Sequence, residues 1–69
     1  MTTTAMQAAI DLGGVVENAR DALRHAKQAA TNLDGSRAAR ANELVDMLAD
    51  VLTFAERLEF VAEGDARAV

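Results

Sequence analysis

Apolar residues recur along the first half of the chain at alternating steps of three and four. Ala9, Leu12, Val16, Ala19, Leu23, Ala26, Ala30 and Leu33 make up this series. Such spacing keeps side chains on one stripe of an α-helix, the a/d seam of a coiled coil, and predicts a long helix over about residues 4–32. A further column, Ala8, Val15, Ala22 and Ala29, runs beside the stripe and widens the apolar face. The opposite face carries Gln7, Asp11, Asn18, Asp21, His25 and Gln28, which suits contact with water.

The second half repeats the rhythm with Ala41, Leu44, Leu48, Val51, Ala55, Leu58 and Ala62, and predicts a second helix over about residues 37–63. Its flanks are bulkier. Met47, Phe54 and Val61 lie on one side of the stripe, and Val45 and Leu52 on the other. Apolar residues therefore occupy about four of every seven positions between Leu44 and Ala55, whereas a two-helix seam uses two. Helix 2 demands a second neighbour.

Punctuation between the helices is concentrated in Asn32-Leu33-Asp34-Gly35-Ser36. Gly35 suits the left-handed conformation that ends a helix, and Ser36 suits the cap of the next, giving a turn over 33–36. Gly64 reads as a stop, which leaves 64–69 as a tail; Thr2, Thr3 and Thr4 are candidate caps at the start. A turn this short forces the helices antiparallel. Folding at Asp34 sets Leu12 near Glu56, Arg20 near Leu48 and Arg24 near Leu44. The expectation is an all-α single domain over 1–69: an antiparallel two-helix hairpin that dimerises into a four-helix bundle through Val45, Met47, Leu52 and Phe54. Gly13-Gly14 interrupts helix 1, each glycine costing roughly 1 kcal/mol relative to alanine. The pair reads as a tolerated weak spot, as a hinge for residues 2–12, or as a sign that the helix begins only near Val15.

Size makes the dimer expectation firmer. A chain of 69 residues has a small core to set against conformational entropy, and small domains are usually reinforced by disulfides, metal or oligomerisation. There is no Cys and only one His, so oligomerisation is the remedy left. No cofactor or metal is expected, and no enzymatic activity. No apolar run approaches the roughly 18 residues of a membrane span. Met1 to Ala9 has no basic segment of the kind that opens a secretory signal, so a cytoplasmic location is expected.

The net charge of −4 is unevenly spread. Residues 1–40 hold five bases and four acids; residues 41–69 hold two bases and seven acids. The acidic second half argues against general binding to nucleic acid or membrane, which are polyanions. One basic group stands out: Arg20, Arg24, Lys27, Arg37 and Arg40, near the turn, are the candidate patch for an anion or RNA. Asp21, Asp34, Glu43 and Asp46 fall close by and offset it, and no aromatic residue interleaves the bases for stacking. The acid rows Glu43-Asp46-Asp50 and Glu56-Glu59-Glu63 lack a Glu-x-x-His partner and read as solvated faces rather than metal sites. His25 reads as a surface residue.

Misplaced apolar residues carry the functional expectation. Phe60 falls opposite the helix 2 stripe, and Ile10, flanked by Met6, falls off the helix 1 stripe. With Phe54, Val61 and the acidic edge Glu56 and Glu59, they form the expected partner-binding set at the open end of the hairpin. The short hairpin with a Leu/Ala heptad core and a Leu33-Asp34 turn resembles the Rop group of plasmid RNA-binding proteins. That resemblance implies RNA recognition by a helix 1 face bearing basic and amide residues and an aromatic; the same face here carries Asp11, Glu17 and Asp21 and no aromatic. At the level of class, the chain is similar to small acidic helical proteins of phages and plasmids, many of which bind and block a host protein. The expected function is that of a small homodimeric protein–protein interaction module, a regulator or inhibitor of another protein. The alternatives are a Rop-like RNA-binding bundle and a structural subunit of a larger assembly.

Overall fold

The computed structural model describes residues 3–68. They form two helices, α1 (Thr4–Thr31) and α2 (Gly35–Ala68), packed along each other as a hairpin with extents of 52 × 17 × 11 Å. Thr3 begins α1. Its backbone is extended, and its Oγ1 accepts the Met6 N–H at 3.0 Å, which satisfies one of the unpaired donors of the first turn. Thr4 is already helical; Thr2 lies outside the described residues, as does Val69 at the end of the expected tail. α1 then runs unbroken through Gly13-Gly14, so the helix does not wait until Val15 to begin.

At the other end of α1, the Asn32 N–H donates to the carbonyls of Gln28 and Ala29 at 3.2 and 3.1 Å, and the chain leaves the helix. Gly35 follows with φ +59°, the conformation in which an L side chain would strain the backbone. The Ala38 N–H donates to the Asp34 carbonyl at 3.4 Å, so the first bond of α2 starts from Asp34. Ser36, expected as the cap, lies inside the first turn, and α2 begins at Gly35 rather than 37.

Gly64 does not stop α2. The helix continues to Ala68, because Ala62 and Ala66 keep a half-buried face toward α1 and Arg67 ties back to Glu63. Arg67 Nε donates to the Glu63 carbonyl at 3.4 Å, and its NH2 group lies 3.7 Å from the Glu63 carboxylate. These contacts offset the roughly 1 kcal/mol that a helical glycine costs.

The inward face of α1 is the one its pattern predicts. Ala9, Leu12, Leu23 and Ala30 are half-buried and Val16, Ala19 and Ala26 buried; Leu33, beyond the helix end, is exposed. The inward face of α2 differs from expectation. Ala38, Ala41, Val45, Leu48, Leu52, Ala55, Glu59, Ala62 and Ala66 form it, again in steps of three and four. Val45 and Leu52, expected at the dimer interface, are half-buried in the seam within the hairpin. Leu44, Val51 and Leu58, expected in that seam, are 48%, 50% and 42% exposed. α2 is thus turned by about 50° from the predicted stripe, at 100° per residue. The turn brings its small residues against the alanines of α1, where backbones approach closely.

The register also moves. Arg20 reaches Glu56, and Gly13 faces Glu59, so these contacts fall about one to two turns further along α2 than a fold at Asp34 implies. The resulting core is thin. Only Val16, Ala19, Ala26 and Ala55 are buried among the described residues.

Candidate interaction surface

Rotation of α2 leaves an ordered surface outside. Leu44, Met47, Val51, Phe54, Leu58 and Val61 are between 42% and 65% exposed, and their spacing is 3-4-3-4-3. This is a second heptad stripe with no helix on it. Its centre lies about 100° around α2 from the seam with α1. In a four-helix bundle each helix touches two neighbours at roughly that angle, and the hairpin supplies only one of them.

α1 extends the same face. Val15, 47% exposed, lines a groove with Leu12, Val51, Phe54, Ala55 and Leu58, with Asp50 at its rim. Nearer the turn, Ala29 and Leu33 line another with Ala41 and Leu44. The apolar surface therefore runs along one side of the hairpin. The chain matches no family model, no curated protein and no solved structure. The functional reading rests on these surfaces.

The opposite side carries the ion pairs that cross or flank the seam. Arg20 NH2 donates to Glu56 Oε2 at 3.2 Å across the two helices. One turn on, Glu59 folds over Gly13, where a Cβ would lie 3.0 Å from its Oε2. Glu59 is half-buried there and Glu63 pairs with Arg67, so the row Glu56-Glu59-Glu63 is not the free acidic edge expected from the sequence. Both ends of the Arg20–Glu56 pair are about half exposed, and pairs of that kind contribute about 1 kcal/mol or less.

The expected partner-binding residues fall on three surfaces rather than one. Phe54 belongs to the lateral face. Met6 and Ile10 share a shallow groove at the open end with Ala9, Glu63, Ala66 and Arg67. Phe60 and Val61 border a third with Thr53, Glu56 and Arg57, so Val61 bridges from the lateral stripe to the back of α2. Of the expected dimer residues, Met47 and Phe54 are exposed on the lateral stripe, 63% and 65%, while Val45 and Leu52 are turned away from it.

Among the basic residues, Arg24 pairs with Asp21 at 3.3 Å and Arg40 with Glu43 at 3.5 Å, besides Arg20 with Glu56. Three of the five bases thus have carboxylate partners. Arg37 lies at the turn, beside the loop Asn32-Leu33-Asp34. His25 is exposed. Among the described residues no three His, Asp or Glu side chains are grouped to hold a metal ion, and no helix is long and apolar enough to cross a membrane.

Leu44, Val51, Leu58 and Val15 are the exposed apolar residues of the lateral face that the sequence pattern misassigned or passed over. The signal was present. Two overlapping 3-4 series run along helix 2, and the one richer in alanine faces α1.

Proposed function

We propose that the chain is a small homodimeric protein–protein interaction module that binds and regulates another protein. One observation supports this above the rest: the hairpin carries apolar side chains on surfaces that no single neighbour covers together. The lateral stripe has the residue spacing of a bundle interior. Phe60, 74% exposed, stands on the back of α2 between Glu56, Arg57 and Val61, and Ile10 with Met6 lies at the open end beside Glu63 and Arg67. An aromatic or methionine anchor within a charged rim is how protein recognition sites are commonly built. A subunit covering the lateral face leaves Phe60, Ile10 and Met6 for the regulated partner. The grooves on this rod are shallow and open, which supports binding in preference to chemistry that must exclude water.

Immobilised protein tests the assignment by comparing what wild type and two variants retain from a lysate of the source cells. Phe60→Asp is expected to weaken retention of the partner about 30-fold or more, as for a hot-spot aromatic, while Phe60→Leu retains it and the mass of the module itself is unchanged. Equal retention by Phe60→Asp and wild type would contradict the site.

A further inference from the structure

We propose that a second copy of this chain covers the lateral face head to tail, α2 antiparallel to the other α2 and α1 antiparallel to the other α1. Resting on the interaction-module reading, this fixes which subunit surfaces meet and in which direction.

The stripe on α2 favours reversal. Read from either end, Leu44, Met47, Val51, Phe54, Leu58 and Val61 step 3-4-3-4-3. A two-fold axis between Val51 and Phe54 sets Leu44 of one copy against Val61 of the other, Met47 against Leu58, and Val51 against Phe54. The outer and inner layers each join a larger side chain to a smaller one, and Met47 and Leu58 are matched in volume, which suits interdigitated packing.

The small column of α1 lies along the same face and is also symmetric under reversal. Ala8, Val15, Ala22 and Ala29 are centred between Val15 and Ala22. The contacts Gly13 to Glu59 and Arg20 to Glu56 place that midpoint about one to five residues from the midpoint of the α2 stripe, within the central third of the rod. An axis across the middle of the lateral face therefore crosses both pairs of helices. Alanines allow the two α1 helices to approach to about 8 Å, and the bulkier stripe holds the two α2 helices near 10 Å.

Charge selects the direction. The half of the hairpin nearest the turn, residues 20–46, holds five bases and four acids, a net of +1. The open half holds Arg57 and Arg67 against seven acids, a net of −5. Stacking two copies with their turns together would crowd both strongly acidic ends into one place. Head-to-tail stacking sets each acidic end beside the other copy's turn, and brings Arg57 toward Asp50 and Glu43 of the second copy.

The rod carries surplus surface. A compact chain of 7.3 kDa exposes about 4,200 Å², whereas this hairpin exposes 5178 Å². The excess, about 1,000 Å², compares with the roughly 800 Å² that each partner buries in a stable interface.

The chain has no cysteine, so Ser36→Cys, exposed at the turn, gives a single site for a nitroxide label. Pulsed electron resonance on a sample of known mass then measures the distance between the two turns. Head-to-tail packing places the labels about 50 Å apart, counting 1.5 Å per residue from the axis. A distance below about 25 Å, set by helices 8–10 Å apart at one end, would overturn the arrangement and leave the dimeric module standing. A single-chain mass with no dipolar coupling would overturn both.

Discussion

Gly14 and Gly35 carry the same side chain, a single hydrogen, and are set apart by their backbones. Gly35 takes φ +59° where the chain reverses into α2, whereas Gly14 sits in α1 with nothing within 4 Å of where a Cβ would go. Opposite effects follow. Gly14→Ala is expected to stabilise the protein by about 1 kcal/mol, because helical glycine costs backbone entropy. Gly35→Ala is expected to lose about 1 to 2 kcal/mol through left-handed strain. Urea unfolding at one fixed protein concentration measures both, and a shift of the same sign in the two variants would contradict the geometry. Gly13 differs again, since Glu59 occupies the space a methyl group would enter. At this scale the sequence was informative wherever one residue settles the matter. Gly35 could be read as left-handed from its place in a turn cluster, and Thr3 as one of three possible caps. The cover that Glu59 gives Gly13 depends on the register of two helices and has no local signature.

The existence of both elements, their order and the face that α1 turns inward were legible because a single 3-4 series ran along helix 1 without a rival. Helix 2 carried two such series side by side. Hydrophobicity alone favoured the Leu44-Val51-Leu58 column, which is bulkier; packing selected the column with Ala38, Glu59 and Ala66, since small residues let α2 lie close on the alanines of α1. That choice moved Val45 and Leu52 into the seam and put Leu58 outside. The end of α2 was misread for a related reason: Gly64 is a local stop signal, and the half-buried Ala62 and Ala66 on either side of it outweigh that signal. Close approach at the seam is testable. Ala26, 7% exposed, has little room beside it, and Ala26→Leu is expected to cost about 1 to 3 kcal/mol by forcing the helices apart. Thermal unfolding followed by circular dichroism would show the loss; an unchanged midpoint would mean that the helices are not held by small residues.

As a whole molecule the hairpin is a thin rod with four buried residues among those described, none of them larger than valine, and a full heptad stripe left in water. A core of that size sits poorly against the conformational entropy of 69 residues, which costs roughly 1 kcal/mol or more per residue. The missing burial is available on the lateral face, and it is laid out to receive a helix. The proposed division of function follows the same geometry: the stripe is assigned to assembly, while Phe60, Ile10 and Met6 remain outside it. The sequence set Phe60 opposite the stripe that Phe54 flanks, about 120° around the same helix, but which of the two faces α1 leaves open depends on the rotation of α2, and so the three residues were read as one patch. Sedimentation equilibrium across a range of concentrations tests whether a second copy covers the lateral face. A folded species of twice the 7.3 kDa chain mass is expected, with helicity falling as dilution dissociates it. A mass of 7.3 kDa at every concentration, with helicity intact, would contradict that expectation.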